Sequence, residues 1–243
     1  MYLLYLLYLL YLLCLYRSKA QSIVDLCEDD ETVVEINLSN LNTTHVTSRI
    51  YDFSHIKRLV VNHNKLKAIS TEIQHLTDLE LLDISYNVIE TFPVEIEELE
   101  KLVCLRASNN ILLDLPGQFY KLSELEILDF SHNEFESLPI ISGNLELLKD
   151  LKEWDVGIGC LTKLRHLDVS YNKLTVWPLQ IEKLTLMGRL YLSHNQITTM
   201  NIECLTGFRH LTVLDMSYNL IEDFPSCLFD LPLQVHLYIY KDL

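Results

Sequence analysis

Three stretches of this chain align without a gap: LELLDISYNVIETFP from Leu79 to Pro93, LEILDFSHNEFESLP from Leu125 to Pro139, and LRHLDVSYNKLTVWP from Leu164 to Pro178. They share the frame LxxLxLxxNxLxxLP, and its first apolar position recurs at Val33, Ile56, Leu79, Leu102, Leu125, Leu164, Met187, Leu211 and Gln234. Successive starts lie 23, 23, 23, 23, 39, 23, 24 and 23 residues apart. The Asn slot holds Asn64, Asn87, Asn110, Asn133, Asn172, Asn195 and Asn219, with Leu41 and Asp242 in the first and last repeats. A fixed period in this range marks a stack of like units, each burying its apolar edge only against its neighbours.

The frame dictates a local structure. In Leu82-Asp83-Ile84 the outer two residues point one way and the middle one the other, a short strand with one buried face. Asparagine offers two donors and two acceptor lone pairs, enough to satisfy backbone groups where the chain turns off the strand, so a ladder of asparagines should tie neighbouring turns together. The returning half carries a proline slot (Pro93, Pro116, Pro139, Pro178, Pro225) and then apolar residues three apart, as in Ile96, Leu99 and Leu102. Proline ends regular extension there, which predicts short helical turns and irregular chain on the outer side. Strands stacked at about 4.8 Å inside a bulkier outer layer bend the stack into an arc. The expected fold is therefore α/β: a curved solenoid with one concave parallel sheet and convex short turns.

Residues 33–243 should form about eight such repeats with a ninth cut short at HLYIYKDL, preceded by a capping helix over 20–32 that places Ile23, Val24, Leu26 and Cys27 against the first strand. The 39-residue interval carries sixteen residues more than its 23-residue neighbours, within 140–157. There Leu147, Leu148, Leu151, Trp154 and Ile158 fall at helical spacing among charged residues. This insertion has two readings: a docking helix anchored by Trp154, or a tolerated loop insertion whose apolar side packs on the solenoid.

The frame also names the concave side chains. Between the strand leucines stand Asp83, Arg106, Asp129, Asp168, Tyr191 and Asp215; just before the Asn stand His63, Tyr86, His132, Tyr171, His194 and Tyr218; and Arg58 and Arg189 precede the central apolar residue of their strands. Charges are mixed, and the acidic excess lies elsewhere, in CEDDE and VEIEELE. Tyr and Arg dominate protein-protein contacts, so this aromatic, roughly balanced face suits a protein ligand.

Other functions lack their chemistry. A net charge of -15 with no Lys/Arg cluster argues against nucleic acid or an anionic membrane surface as the main partner. The six cysteines are scattered without a CxxC pair, which is neither a disulfide framework nor a zinc site. His63, His132 and His194 fall in different repeats, about 10 to 15 Å apart along the stack, too far to share one zinc ion. There is no nucleophile elbow, no phosphate loop and no cofactor motif, and carboxylates such as Asp129 and Asp168 on an open face have little reason to titrate abnormally. A non-enzymatic binding protein without cofactors is expected.

The frame resembles the leucine-rich repeat over most of the chain, from about Val33 onward. Its 23-residue length with LPxxI between strands, carried by FPVEIEELEKLVCL and VWPLQIEKLTLM, is similar to the intracellular branch that includes Ras-suppressor proteins and the repeat domains of Scribble- and Erbin-type scaffolds. That resemblance implies an adaptor for small GTPases, phosphatases or junction and signalling proteins. Cys27 and Cys227 each stand alone near the ends, whereas secreted relatives carry cysteine clusters there, so a cytoplasmic location is expected. Residues 1–19 complicate this. MYLLYLLYLLYLLCLY is an uncharged run of signal-peptide length, yet no basic residue precedes it, and Arg17 and Lys19 stand where a cleavage region is normally neutral. It reads either as a signal or anchor, making the chain an extracellular or membrane-anchored recognition module, or as a translated low-complexity tract with no export role. The sequons Asn37-Leu-Ser39 and Asn42-Thr-Thr44 matter only in the first case.

Overall fold

The computed structural model describes residues 34–138, 158–178, 181–200, 207–223, 228 and 236–239. The apolar opening run, the expected capping helix and the insertion with Trp154 lie outside them. Nine three-residue strands form one parallel sheet in chain order: β1 (Glu35–Asn37), β2 (Arg58–Val60), β3 (Leu81–Asp83), β4 (Cys104–Arg106), β5 (Ile127–Asp129), β6 (His166–Asp168), β7 (Arg189–Tyr191), β8 (Val213–Asp215) and β9 (His236–Tyr238). Register follows the frame, so that Leu59, Leu82, Leu105, Leu128, Leu167, Leu190 and Leu214 run along one row, all buried. The residues flanking each of these leucines point to the other face.

On the far side of the core lie short 3-10 turns, Ser48–Asp52, Thr71–His75, Val94–Glu98, Gly117–Lys121, Ile158–Cys160 and Ile181–Lys183. Pro93 and Pro116 open two of them at φ -71° and -61°, values the pyrrolidine ring already imposes. Each of these turns drives at least one apolar side chain inward, such as Ile73, Ile96, Phe119 or Ile181. Phe92, Phe119, Phe130 and Phe135 meet beneath β4 and β5 with ring centroids 5.3 to 6.2 Å apart. The outer side is thus 3-10 and irregular chain among the described residues, because the proline and the tight period leave no length for an α-helical crossover.

The asparagine ladder is present. Asn110 donates its amide to the carbonyls of Ile84, Ala107 and Ser108 at 3.1 to 3.3 Å, while its Oδ1 accepts from the Ile89 N–H at 3.0 Å. The same set recurs at Asn87, Asn133, Asn172 and Asn195, each bonding its own repeat and the one before. Across the long interval β5 still pairs directly with β6, Ile127 against His166. Ile158 takes the place of Ile96 and Phe119: the Leu161 N–H donates to its carbonyl at 3.1 Å, as Leu99 and Leu122 do to theirs at 3.2 Å. Both ladders are therefore continuous from β5 to β6, with Leu138 and Ile158 buried on either side of the long interval.

Candidate functional site

Side chains of the inner face fall into three columns. The column before the central leucine holds Arg58, Leu81, Cys104, Ile127, His166, Arg189 and Val213 in register. Arg58 and Arg189 are its exposed members, and Arg58 pairs with Glu35 at 3.1 Å. Leu81, Cys104 and Ile127 make its centre apolar, a strip that a search of the sequence for charged and aromatic residues passes over; their adjacency is available from the 23-residue register. Burial pushes the Cys104 thiol pKa up, so the cysteine is a small hydrophobe in this strip.

The column after the leucine holds Asp83, Arg106, Asp129, Asp168, Tyr191 and Asp215. Its aspartates are turn formers. Oδ1 of Asp129 accepts from the Ser131 N–H at 3.0 Å and from its hydroxyl at 2.7 Å, and Asp168 and Asp215 hold Ser170 and Ser217 the same way. Asp83 is only 8% exposed, with Oδ1 bonded by the Ser85 N–H and Oδ2 by the Asn62 amide, each at 3.0 Å. This aspartate, expected to meet a partner, is committed to the fold instead. Arg106 is exposed between Asp83 and Asp129.

Titration also departs from the expectation of an open, ordinary face. Burial raises the Asp168 pKa above its usual value, with nearby Asp129 adding to the rise and the bonds from Ser170 opposing it. Burial lowers the pKa of His166, against the pull of Asp168 and Asp129. The cause is that both side chains are half-buried on the sheet, where the charged form loses solvation.

The third column precedes the ladder asparagines, and all its residues from His63 to Tyr218 take a left-handed backbone. His63, Tyr86, Asn109, His132, Tyr171, His194 and Tyr218 have φ between 53° and 56°. Asn, Asp and His tolerate that region best among non-glycine residues, whereas Tyr has to be held there by its surroundings. The surroundings are other rings. His63 stacks on Tyr86 at 4.2 Å, and His132, Tyr171, His194 and Tyr218 form one continuous stack with centroids 4.0 to 4.2 Å apart and planes within 13°. Asn109 interrupts the two stacks. Tyr86, Tyr171 and Tyr218 remain 49%, 45% and 38% exposed.

The inner-face residues selected from the sequence thus fall in these three columns, Asp83 as a buried member, while Trp154 falls outside the described residues. Among the described residues no group of three or more His, Cys, Asp or Glu side chains is placed to hold a metal ion. No helix among them is long and apolar enough to cross a membrane.

Comparison with known proteins agrees with this geometry. A family model for a leucine-rich repeat region matches residues 32–158, and two further leucine-rich repeat models match 160–176 and 185–240. The human PH domain leucine-rich repeat-containing protein phosphatase 1 is 39% identical over 66 residues, 26% of this chain and 4% of that protein; its rat counterpart is 38% identical over the same length. The match therefore spans a small fraction of these relatives. Among solved structures, a leucine-rich repeat protein of Leptospira interrogans is similar with a TM-score of 0.61 at 24% identity, covering 81% of this chain and 52% of that one. An internalin of Listeria monocytogenes reaches 0.61 at 23% identity over 86% of this chain and 61% of its own. A chain of the PEPR1–AtPEP1 complex reaches 0.64 at 23%, over 84% and 27%. These likenesses show the fold, and with the family match over more than half the sequence they establish that the chain belongs to the leucine-rich repeat family.

Proposed function

We propose that this protein is a non-enzymatic adaptor that binds a protein partner on the concave face in intracellular signalling. Leucine-rich repeat domains generally mediate protein-protein interaction. The observation that carries the reading is the row of exposed tyrosines, Tyr86, Tyr171 and Tyr218, standing beside Arg58, Arg106 and Arg189 on one rigid sheet. Tyrosine held in a stack loses little conformational entropy on binding, and arginine adds directional donors, the combination that marks interface hot spots. Family resemblance suggests a small GTPase, a phosphatase or a junction protein as the partner class, and a cytoplasmic setting.

The test compares partners crosslinked to the full chain in cells with those of Tyr86→Asn/Arg106→Ala and Tyr171→Asn variants, using Lys121→Ala on the outer turns as control. Partners lost from the inner-face variants and kept by the control support the concave face. Equal recovery from all four proteins moves binding to the outer turns or to the insertion with Trp154.

A second reading, an extracellular or membrane-anchored recognition module, rests on the YLL run and on Asn42, whose side chain is exposed. Expression with and without residues 1–20 separates the two. A glycosidase-sensitive shift abolished by the truncation places the protein in the secretory route, and an unshifted product insensitive to truncation supports the cytoplasmic one.

A further inference from the structure

Beyond the ladder asparagines the chain runs along the edge of the sheet, where buried and exposed residues alternate. Asn87, Ile89, Asn110 and Leu112 point into the core, so the residues beside them face solvent. Three of those are apolar: Val88, Ile111 and Leu113 are 41%, 39% and 60% exposed. They are neighbours in space. The Val88 N–H donates to the Leu66 carbonyl at 3.0 Å and the Ile111 N–H to the Ile89 carbonyl at 3.1 Å, so the slot after each asparagine builds a column with one side chain per repeat. Farther along that column Glu134 and Lys173 meet in an ion pair, which shows that successive members touch. Leu113 belongs to the next column, two residues on, where the Glu90 N–H donates to the Lys67 carbonyl at 3.3 Å. A single exposed apolar side chain is ordinary, whereas three together in adjacent repeats form a patch.

The order of charges around this patch selects its occupant. The first column reads Lys65, Val88, Ile111, Glu134 and the second Lys67, Glu90, Leu113, Glu136, with every member but the half-buried Glu134 exposed. Cations bound the patch on one side and carboxylates on the other. A row of cation, apolar, apolar, anion is complementary to its own reverse. A two-fold axis along the strands between repeats three and four makes that reversal, laying Lys65 over Glu134, Val88 over Ile111 and Lys67 over Glu136 of a second copy. Glu134 already holds Lys173, but neither Lys67 nor Glu136 has an ion pair among the described residues. Leu113 against the other copy's Glu90 is the one unlike pair.

We propose that two copies of this chain pair through this edge, with Val88 and Ile111 at the centre of a two-fold contact and the lysine and glutamate ends crossing over it. A standard interface takes about 800 Å² from each partner, more than three side chains offer, so the dimer is a weak one whose charged margins set its register. The contact does not use the strand columns, so it goes beyond the concave-face reading and does not rest on it.

Sedimentation of the full chain from about 1 to 300 µM, a span over which mass action moves a weak dimer, reads the contact. The parent should pass from monomer to dimer, and Ile111→Lys should stay monomeric throughout. Lys67→Glu and Glu136→Lys should each weaken the dimer by about tenfold or more, because like charges then meet twice across the axis. Mixed in equal amounts, these two variants should form the dimer that neither forms alone, since each meets opposite charges on the other. Glu90→Leu removes the unlike pair and should tighten the dimer. Each of these changes installs a residue that the same slot carries in another repeat, as Lys65, Glu90, Lys67 and Leu113 show, so the fold accepts them and far-ultraviolet spectra should match the parent. A parent that stays monomeric overturns the proposal, as does association that Ile111→Lys leaves unchanged or a mixture that fails to recover the dimer. Dimers that appear only after excision of residues 141–156 overturn it as well, because the chain itself then covers the patch. None of the substituted residues belongs to the inner face, so these outcomes leave the crosslinking test of that face independent.

Discussion

The side-chain amide of Asn172 donates to the carbonyl of Phe130, forty-two residues earlier, at 3.0 Å, and its Oδ1 accepts from the Phe135 N–H at 3.1 Å. These are the bonds every interior asparagine makes to the repeat before it, made in this case across the long interval. The ladder bonds on either side of residues 139–157 are thus those of the 23-residue intervals. Excising residues 141–156 leaves Pro139-Ile140-Gly157-Ile158, the same proline-to-apolar spacing as Pro93 to Ile96. The excised protein should keep its far-ultraviolet spectrum and its urea unfolding free energy within about 1 kcal/mol, since loop closure depends weakly on length. A collapse in stability would show that the insertion covers part of the core.

The ladder itself is a different matter. Asn133 satisfies the carbonyls of Ala107, Phe130 and Ser131 and the N–H of Leu112, all from within the core. Asn133→Ala takes one donor from each of these carbonyls, which keep the Asn110 amide, the Asn172 amide and the Asn109 N–H, and it leaves the buried Leu112 N–H without its acceptor, at about 1 to 3 kcal/mol unless water enters. The expected loss is about 3 kcal/mol by urea denaturation. Because each repeat is held only by its neighbours, a mid-stack loss should also lower cooperativity more than Asn64→Ala near the end.

The fold was legible because its signal is repeated: Leu82, Leu128 and Leu167 declare one buried row, and Asn87, Asn133 and Asn172 one ladder, so each instance corrects the others. The face was legible only as a set of positions. Asp129 and Asp168 look like free carboxylates in the sequence, and only the bonds to Ser131 and Ser170 show them folded into turns. Nothing in the pattern states that His132 and Tyr171 take positive φ or that their rings touch, because a repeat frame gives position along the chain and not backbone handedness. Leu81, Cys104 and Ile127 escape notice for another reason: apolar residues in an apolar frame carry no contrast, although their register places them on the open side.

Left-handed backbone at the ring column sets which substitutions it tolerates. His132 has φ 53°, where a β-branched side chain meets its own carbonyl and asparagine does not. His132→Ile should therefore cost about 1 to 2 kcal/mol more than His132→Asn, although isoleucine is the more apolar residue. Equal losses in thermal or urea unfolding would mean that stacking on Tyr171, and not backbone conformation, dominates the position.

Asp168 and His166 pull the pH dependence in opposite directions. Burial raises the carboxyl above its ordinary 3.8, so the folded protein prefers it protonated. Its contribution is then fully present below 3.8 and lost as pH rises through the folded value. Asp168→Asn removes this penalty and keeps the turn, for Asn37 holds Ser39 by the same N–H and hydroxyl bonds at 3.0 and 2.7 Å. The variant should be more stable than the parent at neutral pH, with the difference closing toward pH 3.8. Burial lowers His166 below its ordinary 6.5, so its contribution is present above 6.5 and lost as pH falls through the folded value. His166→Leu, which matches Leu81 in the same column, should flatten the decline below pH 6.5. Asp168 and Asp129 oppose the fall in the histidine pKa, so Asp168→Asn should steepen that decline while raising stability at about pH 7. Urea midpoints from about pH 4 to 8 for the parent, both single variants and the double variant read all of this at once. A parent and Asp168→Asn with parallel profiles would show the aspartate to be as well solvated as a free one.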